Sequence, residues 1–227
     1  MFYPIMIDLE KVNILIVGGG KIASRKARSL LRYGASIKVI SPKFSLELLE
    51  LAEKTKNGRI YSQNIEKESI DLKIDDKKNI CDLEKEKKSL SIEKRDYEDF
   101  KENNQLINSN DKSSDIIKDA NEEKNTKLAG NICLIEREFN FDDLCDIDLL
   151  YLATDDIKLN KEIASYCISN NILVNSVDNH KQSSFINTAF FEEKFDGEDI
   201  VISVSSKGKS PKNTKNLKNK LKEYFSK

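Results

Sequence analysis

The 227-residue chain is long enough for one or two domains with a substantial core. Its net charge of −1 gives no electrostatic case for a nucleic-acid or membrane partner. Hydrophobic residues at 38% against charged residues at 34% indicate that part of the chain is solvated rather than packed.

In chain order, the first element is a β-branched run, Asn13 to Val17, followed by Gly18-Gly19-Gly20 and a helical pattern from Lys21. Gly18-x-Gly20-x-x-Ala23 fits the Gly/Ala-ending dinucleotide fingerprint. Gly18 permits the tight turn out of the strand, and Gly20 lets backbone approach a pyrophosphate. Ala23 allows close packing of helix on sheet, and the free N–H groups at the helix start favour an anion. Ala27, Leu30 and Leu31 continue at helical spacing, and Gly34 is placed to end the helix at C′. Ser36 to Ile40 is a second strand, broken by Ser41-Pro42, so a parallel β-α-β unit with a right-handed crossover is expected. The acidic residue that usually grips a ribose at the end of the second strand is missing. Ser41 or backbone groups are candidates to replace it, and Lys43 would tolerate a 2′-phosphate, so these residues leave NAD against NADP open.

From about Ser62 to Gly130 the chain is dominated by Lys, Glu, Asp, Asn and Ser. Its scattered apolar residues bury too little to offset ordering entropy, so a polar, disordered insertion is expected, with a short helix allowed near Ile92 to Phe100. Order resumes with a strand at Asn131 to Ile135, then a buried strand at Leu149 to Asp155. A helix over Ile157 to Asn170 presents Leu159, Ile163, Ala164 and Cys167 on one face, and Ile172 to Asp178 is the next strand. This order predicts an α/β fold, a small doubly wound parallel sheet with Asp178 at a strand's carboxyl end. Two extended runs, Ser184 to Glu192 and Asp199 to Ser206, join through Asp196-Gly197 as an antiparallel pair. Such a pair is marginal alone, so a second subunit is expected to pair with it. Ser210 and Pro211 then start a last helix as N-cap and N1.

Taken together these motifs resemble the precorrin-2 dehydrogenases, the stand-alone or fused dehydrogenase modules of siroheme synthases, some of which are also sirohydrochlorin ferrochelatases. The resemblance runs through Tyr3-Pro4-Ile5-Met6-Ile7-Asp8-Leu9, Val17 to Ala27, Ala153-Thr154-Asp155-Asp156, Val174 to Asp178, Ser184-Phe185-Ile186 and Val204 to Pro211. It covers residues 1–60 and 131–225, and the polar insertion has no counterpart in the family pattern. It implies a Rossmann-like NAD-binding region over 1–178, interrupted at about 62–130. A strand-and-helix dimerisation region over 179–227 would follow. The implied activity is NAD-dependent oxidation of the tetrapyrrole precorrin-2 to sirohydrochlorin by a homodimer. The family's key aspartate maps onto Asp178. Its residues after the glycine turn map onto Lys21 and Ile22, those after the second strand onto Pro42 and Lys43, and a modifiable serine onto Ser206.

The chemistry agrees with that mapping. Oxidation sends a hydride to nicotinamide and a proton to a base, and Asp178 could take the proton or hold pyrrole N–H groups. Thr154 is placed to line the nicotinamide pocket. The substrate's carboxylates call for cations, with Arg25, Lys26, Lys207, Lys209 and Lys212 as candidates, and Ser206 and Lys207 as the expected substrate contacts. His180 lies two residues past Asp178, where the family usually has a proline, so no role is carried over to it. Two other readings stay open: a bifunctional enzyme that also inserts ferrous iron, and a non-catalytic NAD-sensing module. Cys81, Cys133, Cys145 and Cys167 lack Cys-x-x-Cys spacing, so reduced thiols and no metal site are expected. No apolar run approaches the ~20 residues of a membrane span. Met1 to Leu9 lacks the marks of a signal peptide, so a cytoplasmic location is expected.

Overall fold

The computed structural model describes residues 2–55, 58–62, 128–177 and 179–225. Its main body is a six-stranded sheet in which every pairing is parallel. The strands are β1 (Ile14–Val17), β2 (Ser36–Ser41), β3 (Arg59–Ser62), β4 (Asn131–Glu136), β5 (Leu149–Leu152) and β6 (Leu173–Ser176), in the spatial order β3-β4-β2-β1-β5-β6. Three helices cross between strands: α1 (Lys21–Leu31), α2 (Leu46–Lys54) and α3 (Ile157–Ser169).

All four residues of β1 and of β5 are buried, as continuous apolar runs must be when helices cover both faces of a parallel sheet. On one face Ile14, Ile16, Val39 and Tyr151 pack against Ala23, Ala27, Leu30 and Leu31 of α1 and Leu48, Leu49 and Ala52 of α2. On the other, Leu15, Val17, Leu150 and Leu152 meet Ile163, Ala164 and Cys167 of α3. Each such buried Leu or Ile contributes about 1.5–3 kcal/mol.

The expected strands are present with shifted ends: β5 and β6 are shorter than their runs, closing at Leu152 and Ser176, and the first strand of the antiparallel pair runs over Ala189–Phe195 rather than Ser184 to Glu192. Two elements have no counterpart in the sequence reading, α2 and β3. Leu48, Leu49, Leu51 and Ala52 are buried at helical spacing behind Ser45, which is the N-cap, so their pattern was there to find. The first helix closes earlier than Gly34: Arg32 caps it, and Gly34 takes a φ of +77° in the turn beyond. The far boundary of the expected insertion also moves. Ala129 and Gly130 donate their N–H groups to the Leu31 carbonyl at 3.0 and 2.9 Å, so residues 128–130 belong to the fold. The remainder of that stretch, including the helix allowed near Ile92 to Phe100, lies outside the described residues. Cys133 and Cys167 are free thiols, whereas Cys145 is disulfide-bonded, which departs from the expectation of reduced cysteines throughout.

After β6 the chain makes a short helical turn, His180–Gln182, and enters a separate two-stranded antiparallel sheet, β7 (Ala189–Phe195) with β8 (Glu198–Val204). Helix α4 (Pro211–Phe225) follows, with Ser210 Oγ accepting from the Asn213 N–H at 3.3 Å, the N-cap role expected of it. The hairpin is tied to the main body where Tyr33, just past α1, meets Phe190 edge-on and donates its hydroxyl to Glu192.

Candidate functional site

β1 is flanked by β2 on one side and β5 on the other, and the chain's connections run in opposite directions from that junction. In an open parallel sheet the crevice for a ligand lies there, outside the carboxyl ends of the strands. Gly18 occupies this point with a φ of +113°, and a Cβ built on it would stand 2.3 Å from the Ala153 carbonyl oxygen. Its N–H donates to the Ile40 carbonyl at 2.9 Å, so one residue joins the ends of β1, β2 and β5. Gly19 is equally confined, its notional Cβ lying 2.0 Å from the Lys43 carbonyl oxygen.

Gly20 is different. A Cβ there would meet nothing within 4 Å. Gly20 is the N-cap of α1 and supplies no side-chain bond to the N–H groups of the first turn, which also holds no acidic residue. The result is an open cradle of backbone donors with a partial positive charge, the donor set that a pyrophosphate needs. Ala23, fully buried, sets α1 against the sheet, while Lys21 and Ile22 are exposed at the rim. Ser24 braces the turn: its hydroxyl donates to the Gly20 carbonyl at 3.1 Å and shares a 2.8 Å bond with the Ser45 hydroxyl, while the Ser45 N–H donates to the Gly19 carbonyl at 2.8 Å. Helix α2 therefore anchors the glycine turn from behind.

Pro42 and Lys43 stand exposed at the end of β2, on the cradle's other side. Ser41 is not available to a ribose as expected, because its hydroxyl is buried and donates to the Lys43 carbonyl at 2.8 Å. Thr154 sits at the end of β5 beside Gly18, but its hydroxyl is turned into the protein. It donates to Asn160 Oδ1 at 2.7 Å, and Asn160 Nδ2 donates back to the Thr154 carbonyl at 3.0 Å. Asn160, 1% exposed on α3, is the buried polar residue that holds this wall, and the sequence reading passed over it. Its position on the otherwise apolar buried face of α3, with Ile163, Ala164 and Cys167, was the available signal.

Asp178 lies outside the described residues. The chain before it is fixed by the Val177 N–H donating to the Leu152 carbonyl at 3.1 Å. Ser206 and Lys207 stand elsewhere, at the corner between β8 and α4. The Ser206 hydroxyl donates to the Ser210 carbonyl at 3.1 Å and accepts from the Ser210 N–H and the Thr214 hydroxyl, both at 2.9 Å. Lys207 is exposed with a φ of +56°.

A sequence model of the family described as "Putative NAD(P)-binding" matches residues 5–118 and 113–189, more than half of the chain. The chain belongs to this NAD(P)-binding family. As a family member it is also similar to siroheme synthase 1 of Serratia proteamaculans, 24% identical over 220 residues that make up 97% of this chain and 30% of that protein. The siroheme synthase of Chromobacterium violaceum is 49% identical over 53 residues, 23% of this chain and 11% of that one. The NAD(P)-binding chain thus spans less than a third of these curated relatives. Among solved structures, SirC, a precorrin-2 dehydrogenase, shares the fold with a TM-score of 0.55 and 20% identity, over 99% of this chain and 71% of that one.

Proposed function

We propose that this chain is an NAD-dependent precorrin-2 dehydrogenase, oxidising precorrin-2 to sirohydrochlorin on the route to siroheme. The likeness to a siroheme synthase along 97% of the chain supports this reading, because it extends well beyond the dinucleotide fingerprint. A Rossmann-like sheet alone would not, since fold does not fix function.

In this reading Gly18, Gly20, Lys21, Ile22 and Ala23 form the pyrophosphate cradle. Pro42 and Lys43 border the adenosine side, and Thr154 forms the wall beside the nicotinamide. Held in this cradle, a dinucleotide would supply the hydride acceptor. The accompanying proton goes to a base on the protein, and Asp178, next in the chain after Val177, is the residue assigned to it. The balance is precorrin-2 plus NAD giving sirohydrochlorin, NADH and a proton. Ser206 and Lys207 are assigned to the substrate side, with the Ser206 hydroxyl shaping the corner rather than reaching out of it.

The reading includes a homodimer working in the cytoplasm, with the NAD-binding region ending at about residue 178 and the pairing region beyond it. What supports the dimer is the hairpin and α4. Helix α4 buries no residue fully, and Phe195, Val201, Leu217 and Tyr224 are exposed. A two-stranded sheet with these side chains needs a further surface to be stable. No helix among the described residues is long and apolar enough to cross a membrane.

The test is turnover of precorrin-2 with NAD under anaerobic conditions by the wild type and by Asp178→Ala. The expected result is a loss of about 10²-fold or more in the variant with cofactor affinity retained. Near wild-type turnover by a folded Asp178→Ala would remove that assignment.

A further inference from the structure

On the flank of α1, one turn beyond the cradle, stands a cation with no counter-charge among the described residues. The Lys26 ammonium lies 5.2 Å from the centroid of the Tyr151 ring. Tyr151, on β5, is itself buried, donates its hydroxyl to Asn187 Oδ1 at 3.2 Å and meets Phe185 edge-on at 5.5 Å. Thus α1 and β5 meet at Lys26, and the segment that follows β6 packs on Tyr151.

Burial, and next to it the like charge of Arg25, hold the Lys26 amine down to about 8. No carboxylate among the described residues acts on it to offset these. A ring face repays only part of the cost of drawing an ammonium away from water. Among the described residues the site is therefore short of one anion. Side chains on a helix lean towards its N-terminus, so Lys26 leans back towards the cradle.

We propose that Lys26 binds a carboxylate of the substrate beside the bound dinucleotide. This rests on the tetrapyrrole reading above, which supplies a ligand rich in carboxylates. The other anion within the crevice, the cofactor's pyrophosphate, is provided for by the open N–H groups at Gly20 and the first turn. Lys26 instead stands over Tyr151, the β5 ring that Asn187 and Phe185 contact.

The experiment compares the full chain with Lys26→Met, which keeps the apolar stem, and Lys26→Arg, which keeps the charge. Sirohydrochlorin binding is followed by absorbance and NAD binding by calorimetry. Lys26→Met should weaken sirohydrochlorin binding about tenfold or more, Lys26→Arg should restore most of it, and NAD affinity should stay unchanged in both. Wild-type affinity for sirohydrochlorin should fall as pH rises above about 8, where Lys26 loses its proton, and Lys26→Met should lack that step. Burial raises the Tyr151 hydroxyl, so among the described residues the ring facing the ammonium keeps its proton there. Unchanged sirohydrochlorin affinity in folded Lys26→Met overturns the proposal, and a loss confined to NAD overturns it by giving the cation to the cofactor. If the wild type binds no sirohydrochlorin, the tetrapyrrole reading itself falls, an outcome distinct from either.

Discussion

Gly18 and Gly20 carry the same letter and do different work. At Gly18 a side chain collides with the Ala153 backbone in a left-handed conformation, so Gly18→Ala should destabilise the fold by about 3 kcal/mol. At Gly20 a side chain enters open space, so Gly20→Val should cost only about 1 kcal/mol as a poorer N-cap. It should nevertheless weaken NAD binding about tenfold or more by filling the cradle. Thermal unfolding and calorimetry on the two variants read these effects separately. A Gly20→Val protein that binds NAD normally would show that the cradle is not the cofactor's seat. The glycine pattern was legible because each position answers a local backbone demand. The engagement of Ser41 and Thr154 was not, because their hydroxyls are committed to Lys43 and Asn160, contacts that spacing does not announce.

At the scale of elements, apolar period and caps located most strands and helices. Asp156 caps α3 by accepting from the Lys158 and Leu159 N–H groups at 2.9 and 3.0 Å, and the helix ends within a residue of its expected limit. Helix α2 and β3 escaped the reading because they lead directly into the polar stretch, whose composition masked the order before it. The corner that starts α4 is a polar hub on Ser206, with three hydrogen bonds to Ser210 and Thr214. Ser206→Ala should cost about 1 kcal/mol and lower Tm by roughly 2–4 °C. An unchanged Tm would show that the hub does not hold the helix.

Across the whole molecule, the parallel sheet is self-contained, with two apolar cores on its faces. The hairpin and α4 are not, since Phe191 is the one buried side chain in either among the described residues. Light scattering on the purified protein should give twice the chain mass. A Val201→Asp substitution on the exposed face of β8 should shift the population towards the single chain without unfolding the sheet. A monodisperse single chain in the wild type would contradict the dimer. The uncovered faces of the hairpin were legible from the sequence, because an isolated pair of strands rich in Phe, Ile and Val cannot bury them itself.

Whether this NAD(P)-binding chain oxidises a reduced tetrapyrrole is decided by one anaerobic assay of precorrin-2 with NAD, following NADH and sirohydrochlorin together. The two products should appear in equal amounts and only when NAD is present. Measurable NAD binding with no sirohydrochlorin formed would contradict that expectation.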